Sequence, residues 1–214
     1  MNILVACEES QRVCQAFRDK GHNAFSCDIE ECSGGKPEWH IQQDVLPLLN
    51  GDCSFTTCDG SEHTISGKWD KIIGFPPCTY LSAAGACRLY HNGEINQERY
   101  ELGKAAAEFF MSILNADCEK IVVENPTQLK IYGIPKYQQV IEPYMFGEPY
   151  KKRTCLWVKG VPKLQPTNII TEGIVSWVDG GNKSSKPAFR GHRNPKTRSK
   201  TFIGVAEAMA SQGG

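Results

Sequence analysis

Gly74-Phe75-Pro76-Pro77-Cys78-Thr79-Tyr80-Leu81-Ser82 follows directly on the apolar run Trp69 to Ile73. The run reads as a buried strand, and the Pro-Pro pair stops it, because proline fixes φ and has no N–H to give a sheet. The resulting stiff turn carries a cysteine. Loops at the carboxyl ends of strands in an open α/β sheet are where ligands and chemistry collect. Ile121-Val122-Val123-Glu124-Asn125-Pro126 repeats the design with a carboxylate in place of the thiol. A nucleophile candidate, Cys78, and an acid candidate, Glu124, therefore close two expected strands, a pairing suited to pyrimidine chemistry.

Around these two elements the chain alternates strand and helix patterns. Asn2 to Ala6 predicts a short buried strand. Ser10 is placed to cap a helix through about Lys20, with Val13, Cys14 and Phe17 inward and Gly21 as its stop. Asn23 to Cys27 predicts a second strand closing in Asp28, and Val45 to Leu49 a short apolar turn or helix. Residues 51–67, with Asp59-Gly60, break the rhythm and predict a β-hairpin insertion. A long helix is expected from about Asn96 to Leu114, with Leu102, Ala105, Ala106, Phe109, Phe110 and Ile113 as its buried stripe. Cys155 to Val158 predicts a strand, residues 160–182 irregular chain, and Ile203 to Ala210 a final helix. Between the last two lies a basic stretch, residues 183–200, with Lys183, Lys186, Arg190, Arg193, Lys196, Arg198, Lys200 and no acid. Strand, helix, strand with an acid at the second strand's end is the opening of a doubly wound α/β fold, and the chain reads as one domain over its whole length.

The bulk numbers narrow the function classes. The 24 basic and 24 acidic residues cancel, so no global field draws the chain to nucleic acid or membrane, and any polyanion must be held by a local patch. No stretch approaches the ~18 apolar residues that span a bilayer. The N-terminal apolar run is too short for a secretory signal. With ten cysteines and no CxxC pair, the expectation is free thiols in a reducing, cytoplasmic compartment. Cys53, Cys58 and His63 do not fall at a common zinc spacing, and no metal is expected.

The first turn, Cys7-Glu8-Glu9-Ser10-Gln11, lacks the glycines of a dinucleotide fingerprint. Its two acids repel a pyrophosphate and tolerate a ligand with a cationic centre, such as S-adenosylmethionine. An acid at the end of the second strand, here Asp28, typically takes a ribose diol.

Taken together these motifs resemble the DNA cytosine C5 methyltransferase family, most closely its compact phage-type members. Pro76-Pro77-Cys78 is similar to the family's Pro-Cys motif, and Glu124-Asn125-Pro126 to its Glu-Asn-Val motif. Arg99 and the helix after it match the segment between the two. Gly147 to Thr154 resembles, in altered form, the later Gln-x-Arg-x-Arg element. Arg198-Ser199-Lys200-Thr201, running into the last helix, resembles the closing motif that packs back beside the cofactor. The order along the chain is the family order.

The resemblance implies a Rossmann-like, mostly parallel sheet of the S-adenosylmethionine-dependent methyltransferase type. It implies methyl transfer to C5 of cytosine in DNA, through a covalent bond between Cys78 and C6. Glu124 would hydrogen-bond or protonate N3, and one of Lys152, Arg153 and Thr154 would contact the base carbonyl or a phosphate; the alternative for these three is a solvated basic edge. Ala6, Cys7, Glu8, Ser10, Gln11, Asp28, Asp44, Pro76 and Thr201 would bind S-adenosyl-L-methionine, with Asp28 on the ribose and Asp44 on the adenine amino group. Glu8 and Ser10 would line the methionine end or else cap the first helix. Ser82, Asn125, Arg190, Arg193 and Arg198 would bind substrate, Asn125 by orienting the Pro-Cys loop or else as a simple turn residue. Only about forty-five residues separate the Thr154 element from the closing motif, which leaves little room for a target-recognition domain. Low sequence specificity is expected, or specificity from the basic stretch, the insertion or a partner. The same chemistry on RNA or a free cytosine nucleotide stays open, as does a non-catalytic nucleic-acid-binding protein on this scaffold.

Overall fold

The computed structural model describes residues 1–176 and 199–213. Arg190, Arg193 and Arg198, with the rest of the basic stretch up to residue 198, lie outside the described residues.

The strands are β1 Asn2–Ala6, β2 Asn23–Asp28, β3 His40–Gln42, β4 Cys53–Thr56, β5 Glu62–Ile65, β6 Lys71–Gly74, β7 Tyr90–His91, β8 Glu94–Ile95, β9 Ile121–Asn125, β10 Gln139–Ile141, β11 Tyr150–Lys151, β12 Thr154–Lys159 and β13 Val175–Ser176. The α-helices among the described residues are α1 Arg12–Asp19, α2 Ala86–Leu89, α3 Gln97–Leu114 and α4 Ile203–Gln212. Seven strands form one sheet in the order β10-β12-β9-β6-β1-β2-β3. The pairs from β9 to β3 are parallel, and β12 runs antiparallel to both its neighbours. Counted along the chain, this is the 3-2-1-4-5-6 order of a doubly wound nucleotide-binding sheet, with a seventh, reversed strand set between the fifth and sixth. The architecture is compatible with a Rossmann-like fold.

Alternation along the strands builds two cores. Leu4, Ala6, Ile72, Ile121 and Val123 face one side with Phe110 and Ile113 of α3. Ile3, Val5, Ile73 and Val122 face the other, under Val13 and Phe17 of α1 and Val205 and Met209 of α4. The larger side chains among these, such as Leu4, Ile72, Phe17 and Phe110, are fully buried and contribute about 1.5–3 kcal/mol each of transfer free energy. The indoles of Trp69 and Trp157 are buried with their N–H groups satisfied, donating to the carbonyls of Leu48 at 2.7 Å and Pro135 at 2.6 Å.

Three local expectations are corrected. Ser10 does not cap α1. Residue Gln11 stands at the N-cap in the left-handed region, and the Glu8 carboxylate accepts from the backbone N–H of Val13 at 2.7 Å and of Cys14 at 3.1 Å. The buried stripe of α3 is Gly103, Ala107, Phe110 and Ile113, and Leu102 is 43 % exposed. The ring of Tyr132 lies against Gly103, in the space a Cβ there would fill, and Phe110 and Ile113 turn to the sheet. Thirdly, β7 and β8 form a small hairpin between the Pro-Cys loop and α3 that the reading above does not contain; its signal is Asn92-Gly93, with φ of 51° and 85°. The expected insertion at residues 51–67 is present as the β4–β5 hairpin. No described helix is long and apolar enough to cross a membrane.

Candidate active site

The carboxyl ends of β1 and β6 adjoin at the point where the strand order reverses, the position at which such sheets bind ligands. Expected site residues gather on either side of it.

On the β1-β2-β3 side stand Cys7, Asp28 and Asp44. Cys7 has φ of 59°, a conformation usually left to glycine, and its N–H donates to Cys27 O at 2.7 Å, folding the chain sharply off the strand. Burial pushes the Cys7 thiol pKa up, and the charges of Asp28 and Asp44 add to the rise, so the three groups share one neighbourhood. Asp28 is half-buried and its own pKa is raised, first by burial; it also accepts from the N–H of Glu30 at 3.0 Å. Asp44 is exposed and accepts from Leu46 N at 3.0 Å.

The rest of the first turn is committed to the fold. Glu8 is 4 % exposed and turned into the N-terminus of α1, where burial raises its pKa to about 7 against the lowering effect of the two backbone bonds. Gln11 is buried, donating to Lys36 O at 2.8 Å and accepting from Lys36 N at 3.0 Å. Ser10 is buried as well. Of the paired alternatives, Glu8 makes the helix-capping bonds, and the side chains of Glu8, Ser10 and Gln11 are buried. Glu9 faces the closing motif, near Lys200, and accepts from the Ser33 hydroxyl.

On the other side the Pro-Cys loop and the Glu-Asn-Pro strand end are tied together. Phe75 N donates to Ala6 O at 2.9 Å, which seats the loop against β1. The buried Asn125 amide donates to Pro76 O at 2.7 Å, so Asn125 orients the loop. Beyond the cysteine, Ala83 N donates to Thr127 O and Leu129 N to Leu81 O, each at 2.8 Å. Arg99 reaches across from α3 to donate to Thr79 O at 2.8 Å, its guanidinium 4.9 Å from the centre of the Tyr80 ring. Ser82 accepts from Ala84 N at 3.2 Å and caps the 3-10 turn after it. Cys78 itself is exposed.

Glu124 lines a cavity of about 20 Å³ with Lys152, Thr154, Thr201 and Phe202, enough for one water molecule. Burial raises the Glu124 pKa, and the charge of Lys152 draws it partly back. Thr154 is buried and donates its hydroxyl to Lys152 O at 2.9 Å. Arg153, between them, does not line this cavity and donates to Thr127 Oγ1 at 3.2 Å and Tyr137 OH at 2.9 Å. The altered Arg-x-Arg element thus divides: Lys152 and Thr154 attend Glu124, and Arg153 attends the segment after it. Thr201 joins Glu124 and also holds α1, its carbonyl accepting from Arg12 Nη1 at 2.7 Å. Cys78 is not among the residues lining the Glu124 cavity; the two groups are linked through the Asn125–Pro76 hydrogen bond. Thr127 and Tyr137 as partners of Arg153 have no signal in the sequence.

Among the described residues no group of three or more His, Cys, Asp and Glu is placed to hold a metal ion. No protein-family model and no curated protein matches the chain.

Proposed function

We propose that this protein transfers a methyl group from S-adenosyl-L-methionine to C5 of cytosine in DNA through a covalent adduct at Cys78. The observation that carries this reading is the 2.7 Å bond from Asn125 to Pro76 O, which fixes the thiol's loop to the strand end that bears Glu124, a half-buried residue whose carboxyl pKa is raised by desolvation. The cofactor suits the β1-β2-β3 side by the chemistry of its donors. Asp28 is a half-buried acceptor for ribose hydroxyls, and Asp44 an exposed acceptor for the adenine amino group. When bound, the cofactor supplies an electrophilic methyl group.

Cytosine C5 is a poor nucleophile, and adding a thiolate to C6 makes it enamine-like, which splits one difficult step into two. Cys78 gives its thiol proton to solvent base and adds to C6 as the thiolate, while Glu124 gives its own proton to N3, so that the electron pair displaced by the sulfur is not left as an isolated charge; the thiolate regains a proton from solvent when it is expelled at the end. After C5 has taken the methyl group, its hydrogen leaves as a proton to solvent base, the carbon–sulfur bond breaks, and Glu124 recovers its proton from N3. The exposed Cys78 side chain must swing towards Glu124 for this, and the base must leave its stack if the substrate is duplex.

DNA containing 5-fluorocytosine, incubated with S-adenosyl-L-methionine, tests the reading. The fluorine cannot leave as a proton would, so a covalent protein–DNA band is expected with the natural chain and none with Cys78→Ala. A band that persists in Cys78→Ala, or one absent from both, overturns it.

A second reading, binding without catalysis, is favoured by the first turn, in which Glu8, Ser10 and Gln11 are all used inside the fold. A thermal midpoint unmoved by millimolar S-adenosylhomocysteine, with DNA binding retained, is its expected signature.

A further inference from the structure

The stretch that follows Cys78 presents tyrosines paired with cations. Tyr80 is half-buried under Arg99, and Tyr100 and Tyr132 stack with ring centres 5.9 Å apart, Lys104 lying 5.8 Å from the Tyr100 ring. Tyr90 and Ile95 stand directly opposite one another in the β7–β8 hairpin, and so share a face; they are 41 % and 42 % exposed. The hairpin is held firmly at its base, where Asn96 N donates to Leu89 O at 2.8 Å and Leu89 is fully buried. The Tyr132 hydroxyl, behind the Tyr100 ring, is buried with no hydrogen-bond partner among the described residues. Arg88, on α2 just before the hairpin, is exposed.

The same stretch also carries three acids, one of them paired with the patch's own Lys104. Glu94 stands opposite His91 on the other hairpin face, Glu101 pairs with Lys104 at 3.0 Å, and Glu98 lies in the first turn of α3, where the helix dipole favours it. What the patch offers a ligand is aromatic faces with cations beside them, next in sequence to the proposed nucleophile.

We infer that this tyrosine–arginine face binds single-stranded DNA, with unpaired bases stacking on Tyr80 and Tyr90 and phosphates meeting Arg88 and Arg99. The inference deepens the proposed methyl transfer, on which its choice of DNA rests, by naming the substrate as unpaired rather than duplex. Stacking needs open base faces, which a duplex keeps inside its own column. It also accounts for a chain with little room for a recognition domain: a stacking surface tolerates any sequence.

Fluorescence anisotropy with one labelled DNA oligonucleotide, single-stranded or annealed to its complement, and with the RNA of the same sequence, tests the inference without any methyl transfer. Single-stranded DNA is expected to bind the natural chain at least tenfold more tightly than the duplex. Tyr90→Ala is expected to weaken that binding about tenfold, the low end for one base–aromatic stack, with Tyr90→Phe restoring it. Tyr80→Ala serves as the second variant, each checked for an unchanged circular dichroism spectrum. Equal or tighter duplex binding, unchanged affinity in both alanine variants, or tight binding of the RNA alone overturns the inference. A missing 5-fluorocytosine adduct alongside preserved single-strand binding would sink the methyl-transfer reading alone.

Discussion

Glu8, buried, and Glu124, half-buried, both have carboxyl pKa values raised by desolvation, and their surroundings differ. Glu8 is held by two backbone N–H groups and closes a helix; Glu124 faces a water-sized cavity beside Lys152. The pKa of Glu8 rises from the ordinary 4.5 to about 7. In that window the folded chain keeps a proton that the unfolded chain has lost, so folding takes up a proton. Stability is highest on the acid side of the window and falls as pH rises through it, by about 3 kcal/mol. Glu8→Gln is expected to flatten this slope in urea denaturation measured on either side of the window. At Asn125, replacement by alanine leaves Pro76 O without its buried donor and is expected to cost about 1–3 kcal/mol in the same measurement. It should slow adduct formation as well, since the loop bearing Cys78 loses its tie to the Glu124 strand.

At the scale of elements, helix α3 shows what sequence pattern conveys and what it does not. Its span and its Asn96 cap follow from local chemistry, and the cap accepts from Arg99 N at 2.9 Å. Phe110 and Ile113 of its buried side follow from the apolar pattern, but the burial of Gly103 against the Tyr132 ring is a contact from outside that no periodicity within residues 97–114 carries. Gly103→Ala adds helix propensity of about 1 kcal/mol but drives a methyl into Tyr132. The net expectation is a loss of about 1–3 kcal/mol by thermal or urea denaturation, relieved when Tyr132→Ala is combined with it. The strands that frame the site were legible because apolar runs ended by proline or an acid are local signals. Those local signals also marked Asp28, Asn125 and Glu124. The use of Glu8 as a helix cap and the division of Lys152 from Arg153 depend on how the chain returns in space. So does the burial of Lys71 within a strand, its amine 5.4 Å from the centre of the Phe17 ring.

For the molecule as a whole, all ten cysteines carry thiols, and Cys58, Cys78 and Cys87 are the exposed ones. A thiol reagent is expected to modify these three quickly in the native protein and all ten in denaturant, and a reductant should leave the thermal midpoint where it was. The reversed strand β12 has a wider consequence. Because it runs against β9, the chain enters it at the edge where the parallel strands finish, with Cys155 opposite Asn125, and leaves it at the opposite edge, with Lys159 opposite Ile121. Added sequence near Gly147 would therefore lie towards the edge that carries Glu124 and Asn125, whereas an equal length spliced in near Gly160 would emerge where β9 begins, away from Cys78. Reporter peptides grafted at these two places offer a graded pair: the first placed to perturb function, the second a handle for labelling or tethering that leaves it alone.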